Sequence, residues 1–219
     1  DTVVEVNETV AITLTTGSGY AIGSPSAATG TITNDDTDAS LTLSPTFQNE
    51  DTSGTLDFTF TRSGVTSGAL TMNFSVGGTA TFGTDYTVSG AATFNASSGT
   101  VNFGAGVTTV VVSVDPTSDL SLEPDESVLL TITPGSGYTV GGSSSATATI
   151  FNDEASISVS VSPTSLNEDA AGTLAYTFTR AGYGGTPLTV GFNVGGTAAF
   201  GTDYSQTGAA TFGATSGTV

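Results

Sequence analysis

The chain has 219 residues with 20 acidic and 2 basic side chains, a formal net charge of −18, and no Cys or His; Arg62 and Arg180 are its only cationic side chains. This inventory excludes disulfides, thiolate or imidazole metal centres, Schiff bases and Lys-derived crosslinks. Nucleic acid and anionic lipid are excluded as partners because both demand basic patches, which leaves cations as the natural counterpart.

The length suffices for about two self-supporting domains. Thr, Ser, Gly, Val and Phe dominate, and alternating apolar and polar runs recur without any stretch carrying an i, i+3, i+4 apolar stripe. The expected class is therefore all-β. No apolar run reaches the roughly 18 residues of a membrane-spanning helix, so no membrane insertion is expected. No leader is recognisable, and the chain reads as a mature chain or a fragment of a secreted or cell-surface protein.

Matched against itself, the sequence repeats without gaps at a shift of 118. Gly77-Gly-Thr-Ala-Thr-Phe-Gly-Thr-Asp85-Tyr86 returns as Gly195-Gly-Thr-Ala-Ala-Phe-Gly-Thr-Asp203-Tyr204. In the same register Gly17-Ser-Gly-Tyr20 matches Gly135-Ser-Gly-Tyr138, Asn34-Asp35 matches Asn152-Asp153, and Asn49-Glu50-Asp51 matches Asn167-Glu168-Asp169. Such a long period implies one domain per repeat. Residues 1–36 are then the C-terminal part of a preceding repeat, 37–153 a complete repeat, and 154–219 the N-terminal part of a following one.

Within the complete repeat, β-branched content and alternation predict seven strands: A, 40–44 continuing to 50; B, 55–62; C, 70–76; D, 100–103; E, 107–114; F, 127–133; and G, 146–152. Seven short strands separated by Gly, Ser and Pro turns suggest tandem immunoglobulin-like β-sandwiches. Successive strands of such a sandwich mostly run antiparallel, so A, C, E and G end at one pole. Glu50 and Asp51 end A, Asp85 follows C, Asp119, Glu123, Asp125 and Glu126 lie between E and F, and Asp153 ends G. Connections at the other pole carry no acid. Crowded carboxylates repel one another unless a cation balances them. An all-oxygen set on loops suits Ca²⁺ better than a softer metal or Mg²⁺. Solvated turn residues are the bland alternative, favoured for Asp51, Asp57 and Asp125; convergence from separate loops favours metal binding for Asp85, Asp119, Glu123 and Asp153.

With those residues placed, the chain resembles the Calx-beta domain over its whole length. The resemblance is carried by Asn49-Glu50-Asp51, by Gly78-Thr with Gly83-Thr-Asp85-Tyr86, by the spacing Asp119-x3-Glu123-x2-Glu126, and by the closing Thr149-Ile-Phe-Asn152-Asp153. It implies calcium ligation by Glu50, Asp85, Asp119, Glu123, Glu126 and Asp153. The preceding part repeats the spacing as Asp1, Glu5 and Glu8 and closes with Asp35 and Asp36, while Glu168 and Asp203 are the register equivalents of Glu50 and Asp85. Because this unit closes on a short acidic run, one or two ions per domain are expected, with an affinity suited to calcium-rich surroundings. For Arg62 and Arg180 the resemblance implies a structural role against a carboxylate or loop carbonyl.

The expected function is a calcium-binding structural or adhesive repeat of an extracellular multi-repeat protein. Its expected partners are calcium ions, neighbouring repeats, and identical chains in a filament or a cell-surface or matrix ligand. Recurrence of the same acids in each repeat suits architecture better than a glycoside-cleaving active site, so no enzyme is expected. Alternating Thr, as in Thr29-Gly-Thr31-Ile-Thr33, motivates a carbohydrate- or ice-binding face as a further alternative, although it is also ordinary strand composition.

Overall fold

The computed structural model describes residues 3–219 and contains two compact units, Asp1–Glu154 and Ala155–Val219. The first opens with an antiparallel pair, β1 (Glu8–Thr13) and β2 (Ala27–Ile32). A β-sandwich follows, built from β3 (Thr37–Ser44), β4 (Phe47–Asn49), β5 (Leu56–Gly64), β6 (Leu70–Gly78), β7 (Tyr86–Ser89), β8 (Thr93–Phe94), β9 (Ser98–Phe103), β10 (Thr109–Pro116), β11 (Glu126–Thr133), β12 (Thr139–Val140) and β13 (Ser145–Phe151). One sheet has the order β12-β3-β5-β10-β7 and the other β4-β13-β11-β6-β9-β8.

Alternation decides which face of each strand is buried. Along β5, Leu56, Phe58, Phe60 and Arg62 point inward while Asp57, Thr59 and Thr61 point outward; along β11, Val128, Leu130 and Ile132 do the same. The inner faces meet through aromatic contacts, with the rings of Phe60 and Phe74 centred 5.0 Å apart and Phe94 packing on Phe74, Phe82 and Tyr86.

Each of the seven predicted strands lies on an observed one, and the structure adds the short β7, β8 and β12 and divides strand A. Pro45 has no N–H to continue the ladder, so the chain leaves the first sheet after Ser44. It joins the second as β4, parallel to β13, with Asn49 opposite Phe151. This change of sheet delivers Glu50 beside the end of β13. At the end of β6, Gly78 holds φ +111, and a Cβ there would run into the backbone of Ser127. Only glycine permits that approach, which lets Thr79 donate its N–H to Ser127 O at 2.9 Å and turns the chain toward Asp85.

At the pole opposite the acids, the buried guanidinium of Arg62 donates to four loop carbonyls. Nε reaches Val107 O at 2.7 Å, Nη1 reaches Gly68 O at 2.9 Å, and Nη2 reaches Thr66 O and Gly104 O at 2.9 and 2.8 Å. Its carbon sits 5.4 Å from the centre of the Phe103 ring.

The second unit contains β14 (Ala155–Ser162) paired antiparallel with β15 (Ala175–Gly182), and a sheet of β16 (Gly191–Asn193), β17 (Thr211–Phe212) and β18 (Ser216–Thr218) in the order β16-β18-β17. In the register of the sequence repeat these correspond to β3, β5, β6, β8 and β9.

Replacing Arg62 with Ala removes four hydrogen bonds to loop carbonyls, two of which (Thr66 O and Gly104 O) keep a backbone donor, and empties the buried space of its side chain; it is expected to lower the unfolding free energy of the sandwich by about 2–4 kcal/mol. Lys at this position restores the charge without the planar fork and is expected to recover less than half of the loss. Urea unfolding followed by intrinsic Tyr fluorescence measures both; a loss below about 0.5 kcal/mol for Ala would contradict the clamp.

Candidate metal centre

The acids at one pole of the sandwich form two triads. Carboxylate oxygens of Glu50, Asp153 and Glu154 lie within 4.8 Å of one another, and so do those of Asp85, Glu123 and Glu126. The first triad is the deeper. Glu50 and Glu154 are only 5% and 8% exposed, whereas the members of the second are half-buried.

Each carboxylate is placed by a local feature of the chain. Glu50 follows β4 and its N–H donates to Phe151 O at 3.2 Å, so it is bound to the strand that leads into Asp153 and Glu154. Asp85 closes the turn after β6, where its Oδ2 accepts the N–H of Thr81 and its own N–H donates to Thr81 O at 3.0 Å. Glu126 starts β11 opposite Ile150. Asn152, itself buried, ties the two triads together: its Oδ1 accepts the N–H of Glu123 at 2.8 Å and its Nδ2 donates to Glu154 O at 3.2 Å. Its backbone N–H donates to Asp125 Oδ1 at 3.3 Å.

This arrangement is electrostatically unsatisfied. Glu50 Oε2, Glu126 Oε2, Asp153 Oδ1 and both carboxylate oxygens of Glu154 are buried without a hydrogen-bond partner. Such groups are costly unless protonated or neutralised by a cation. The Glu50 carboxyl is accordingly pushed up to about 7, first by burial and then by the charges of Glu154, Asp119, Glu123 and Asp153. Glu126 is also pushed up to about 7, by burial, by a hydrogen bond with Asp85 and by the charges of Asp85 and Glu123. Glu154 is raised by burial and by Asp153, Asp51 and Asp119, against its own backbone N–H, which lowers it.

Of the residues expected as ligands, the structure brings together Glu50 with Asp153 and Asp85 with Glu123 and Glu126. Asp119 lies close enough to act on Glu50 and Glu154 but belongs to neither triad; its Oδ1 accepts the N–H of Ser121 at 2.6 Å. Glu5, Glu8, Asp35 and Asp36 lie on or beside the β1–β2 pair, and Glu168 and Asp203 lie in the second unit; among the described residues neither set forms a triad. Asp1 lies outside the described residues. Glu154 and Asn152 were absent from the expected ligands, yet both carry a signal in the repeat, where Asp36 stands at the register position of Glu154 and Asn34 at that of Asn152.

The raised values fix the sign of a pH dependence. Glu50 and Glu126 titrate near 7 when folded against an ordinary value of 4.5, so between those values the folded form holds more protons than the unfolded one. Their stabilising effect is complete below about pH 4.5 and lost as pH rises through about 7. In chelator, the melting temperature of the sandwich is expected to fall by several degrees from about pH 5 to about pH 8, and Glu50→Gln is expected to flatten that decline. A cation-free profile that is level or rises across the window would refute this electrostatic account.

Truncating Asn152 to Ala removes two side-chain hydrogen bonds and leaves a buried carbonyl unpaired. The expected loss is about 1–3 kcal/mol of unfolding free energy, read from the urea midpoint, and an unchanged midpoint would show that the clamp holds nothing.

No protein-family model and no curated protein matches the chain. Among solved structures the chain is similar to the apo-form Calx CBD1 domain, at 21% identity and a TM-score of 0.41, covering 54% of this chain and 98% of that one. It is similar also to the calcium binding domain CBD12 of CALX1.1, at 21% identity and a TM-score of 0.40, covering 54% of this chain and 44% of that one. A third similar structure is the Calx CBD2 domain, at 14% identity and a TM-score of 0.38, covering 52% of this chain and 85% of that one.

Proposed function

We propose that this chain is a calcium-binding array of Calx-beta-type domains, in which residues 37–153, closed by Glu154, form a complete repeat flanked by parts of two others. The observation that carries the reading is the set of buried, unpartnered carboxylate oxygens divided between two triads. Each triad offers three carboxylates and hence up to six oxygens, the number and hardness that Ca²⁺ takes. Mg²⁺ keeps most of its water and fits a crowded carboxylate nest less well. The basic side chain of this sandwich does not compete for the role, because Arg62 is engaged by carbonyls at the far pole.

The deep triad is supplied by Glu50 and by the two residues that lead directly into β14. Calcium there would bind within the first unit, at the end of the chain segment that closes it. This supports a structural or adhesive role in an extracellular or cell-surface multi-repeat protein, where free calcium is abundant and no disulfide stiffens the chain. The role is non-enzymatic, and its product is a stiffened array.

Calorimetric titration of the chain with calcium is expected to show saturable binding, and calcium at a hundredfold excess over Kd adds about 2.7 kcal/mol of stability. Asp85→Asn is expected to remove the half-buried site and Glu154→Gln the deep one, each lowering the stoichiometry by about one. Affinity is expected to fall as pH drops below about 7, where protons compete for Glu50 and Glu126. Absence of heat together with an unmoved melting temperature would sink the reading.

A further inference from the structure

We propose that consecutive repeats of this array meet through a joint without slack, in which the acidic segment that closes one repeat is also the first rung of the next, and that Arg62 positions the loop on which the preceding repeat is seated. The inference deepens the array reading above and rests on it; it does not rest on calcium.

Residues 34–37 serve both sides of the boundary. Asn34 Oδ1 accepts the N–H of Glu5 at 2.9 Å, and the Asn34 backbone N–H donates to Asn7 Oδ1 at 3.0 Å, which ties the chain just after β2 to the segment that leads into β1. Asn34 Nδ2 donates to Asp36 O at 3.2 Å. The same carbonyl accepts the N–H of Val65 at 3.0 Å, which carries the β3–β5 ladder one residue beyond its Thr37–Gly64 pair. A carbonyl oxygen has two lone pairs, and here one is used by each side. Thr37, 7% exposed, closes the rung with its hydroxyl donating to Val65 O at 2.9 Å. The boundary therefore has no linker of its own in which to bend.

An aliphatic contact adds to these hydrogen bonds. Half-buried Val4 lies over Gly64: a Cβ there would meet the two methyl groups of Val4 at 3.0 and 3.1 Å and would run into the Asp36 carbonyl, and Gly64 itself holds φ +87. Glycine is required on both counts. A cavity of about 310 Å³ lined by Val3, Val4, Asp38, Ser63 and Thr139 lies beside the contact and gives room for a longer aliphatic side chain. Leu122 is such a residue at the register position of Val4.

Arg62 holds the seat from beneath. Loop 65–69 follows Gly64 directly, and the buried guanidinium grips it through Thr66 O and Gly68 O while its other bonds go to Val107 O and Gly104 O. Val65 is bound between that grip and Asp36. Hydrogen bonds thus run from Glu5, through Asn34 and Asp36, to the loop that Arg62 fixes.

Each half of the contact recurs within its own unit. Gly182 holds φ +90 two residues after Arg180, whose Nη1 donates to Thr186 O at 2.7 Å as that of Arg62 does to Gly68 O. Asn152 Nδ2 donates to Glu154 O as Asn34 Nδ2 does to Asp36 O. A seat and a closing segment are therefore written into the repeat itself, which identifies the partner of such a seat as another repeat of this kind.

Amide hydrogen exchange of the whole chain, read by NMR, tests this. Val4→Asp puts a carboxylate beside Asp38 in the cavity and is expected to speed exchange of the Glu5 and Val65 amides about tenfold or more, while the amides of β11 stay protected. Val4→Leu is expected to leave both amides slow. Arg62→Lys is expected to speed the same two amides, Glu5 included although it lies outside the sandwich. Faster exchange at Val65 with Glu5 unchanged would confine Arg62 to its own sandwich and overturn the positioning role. Should Arg62→Lys loosen β11 as well, the two Val4 variants decide, and unchanged Glu5 and Val65 amides in Val4→Asp overturn the seat. The protection is expected in chelator as in millimolar calcium, because none of these contacts uses a carboxylate. Protection that needs calcium overturns the proposal and leaves the calcium reading intact, whereas protection in a chain that binds no calcium upholds the joint and overturns that reading.

Discussion

The structure turns on a charge problem: six carboxylates are gathered into two triads at one end of a sandwich, several with buried oxygens that have no hydrogen-bond partner among the described residues. Mutual repulsion and desolvation both oppose ionisation there, which is why Glu50 and Glu126 hold protons up to about 7. A fold ordinarily avoids such a cluster or pairs it with Arg or Lys. This chain has two Arg side chains, and the one in the complete sandwich is bound at the opposite end. The cluster is therefore relieved by protonation or by a cation from solution, and oxygen-only donors in this number suit a hard divalent cation, as the proposed function holds.

The remainder of the fold reads as a frame that forces this convergence. Division of the first strand between two sheets at Pro45 carries Glu50 across the sandwich to the end of β13. Gly78 lets β6 close against Ser127, so the Asp85 turn and the start of β11 share one corner. Asn152 then binds the two triads through the amide of Glu123 and the carbonyl of Glu154. At the other pole Arg62 gathers loop carbonyls and needs no acid at all. The two ends thus have opposite chemistry: a fixed internal cation organises carbonyls at one, and carboxylates crowd together at the other, where the proposed cation would balance them.

Repetition extends this logic along the chain. Local devices recur with their hydrogen bonds: Asn34 reproduces Asn152, Asp203 reproduces Asp85, and Tyr20 donates to Thr15 O as Tyr138 does to Thr133 O. Short-range geometry is therefore set by the local sequence and recurs with it.

Period-two alternation, glycine and proline punctuation and the shift of 118 were enough to place the seven main strands of the sandwich, because each of these signals is local to a few residues or is a comparison of the chain with itself. They also placed Glu50, Asp85, Glu123, Glu126 and Asp153 at one pole, since strand direction alternates along a sandwich. What the tertiary structure decided is how those acids are shared. Glu50 meets Asp153 and Glu154 across about a hundred residues of chain, and Glu123 falls with Asp85 while Asp119 falls with neither triad. No periodicity encodes such a pairing; it depends on the transfer of β4 between sheets and on a buried amide at Asn152. The short β7, β8 and β12 were silent for the same reason, since strands of two to four residues exist only through the neighbours that hydrogen-bond them, and neighbours are assigned by the fold rather than by the segment itself.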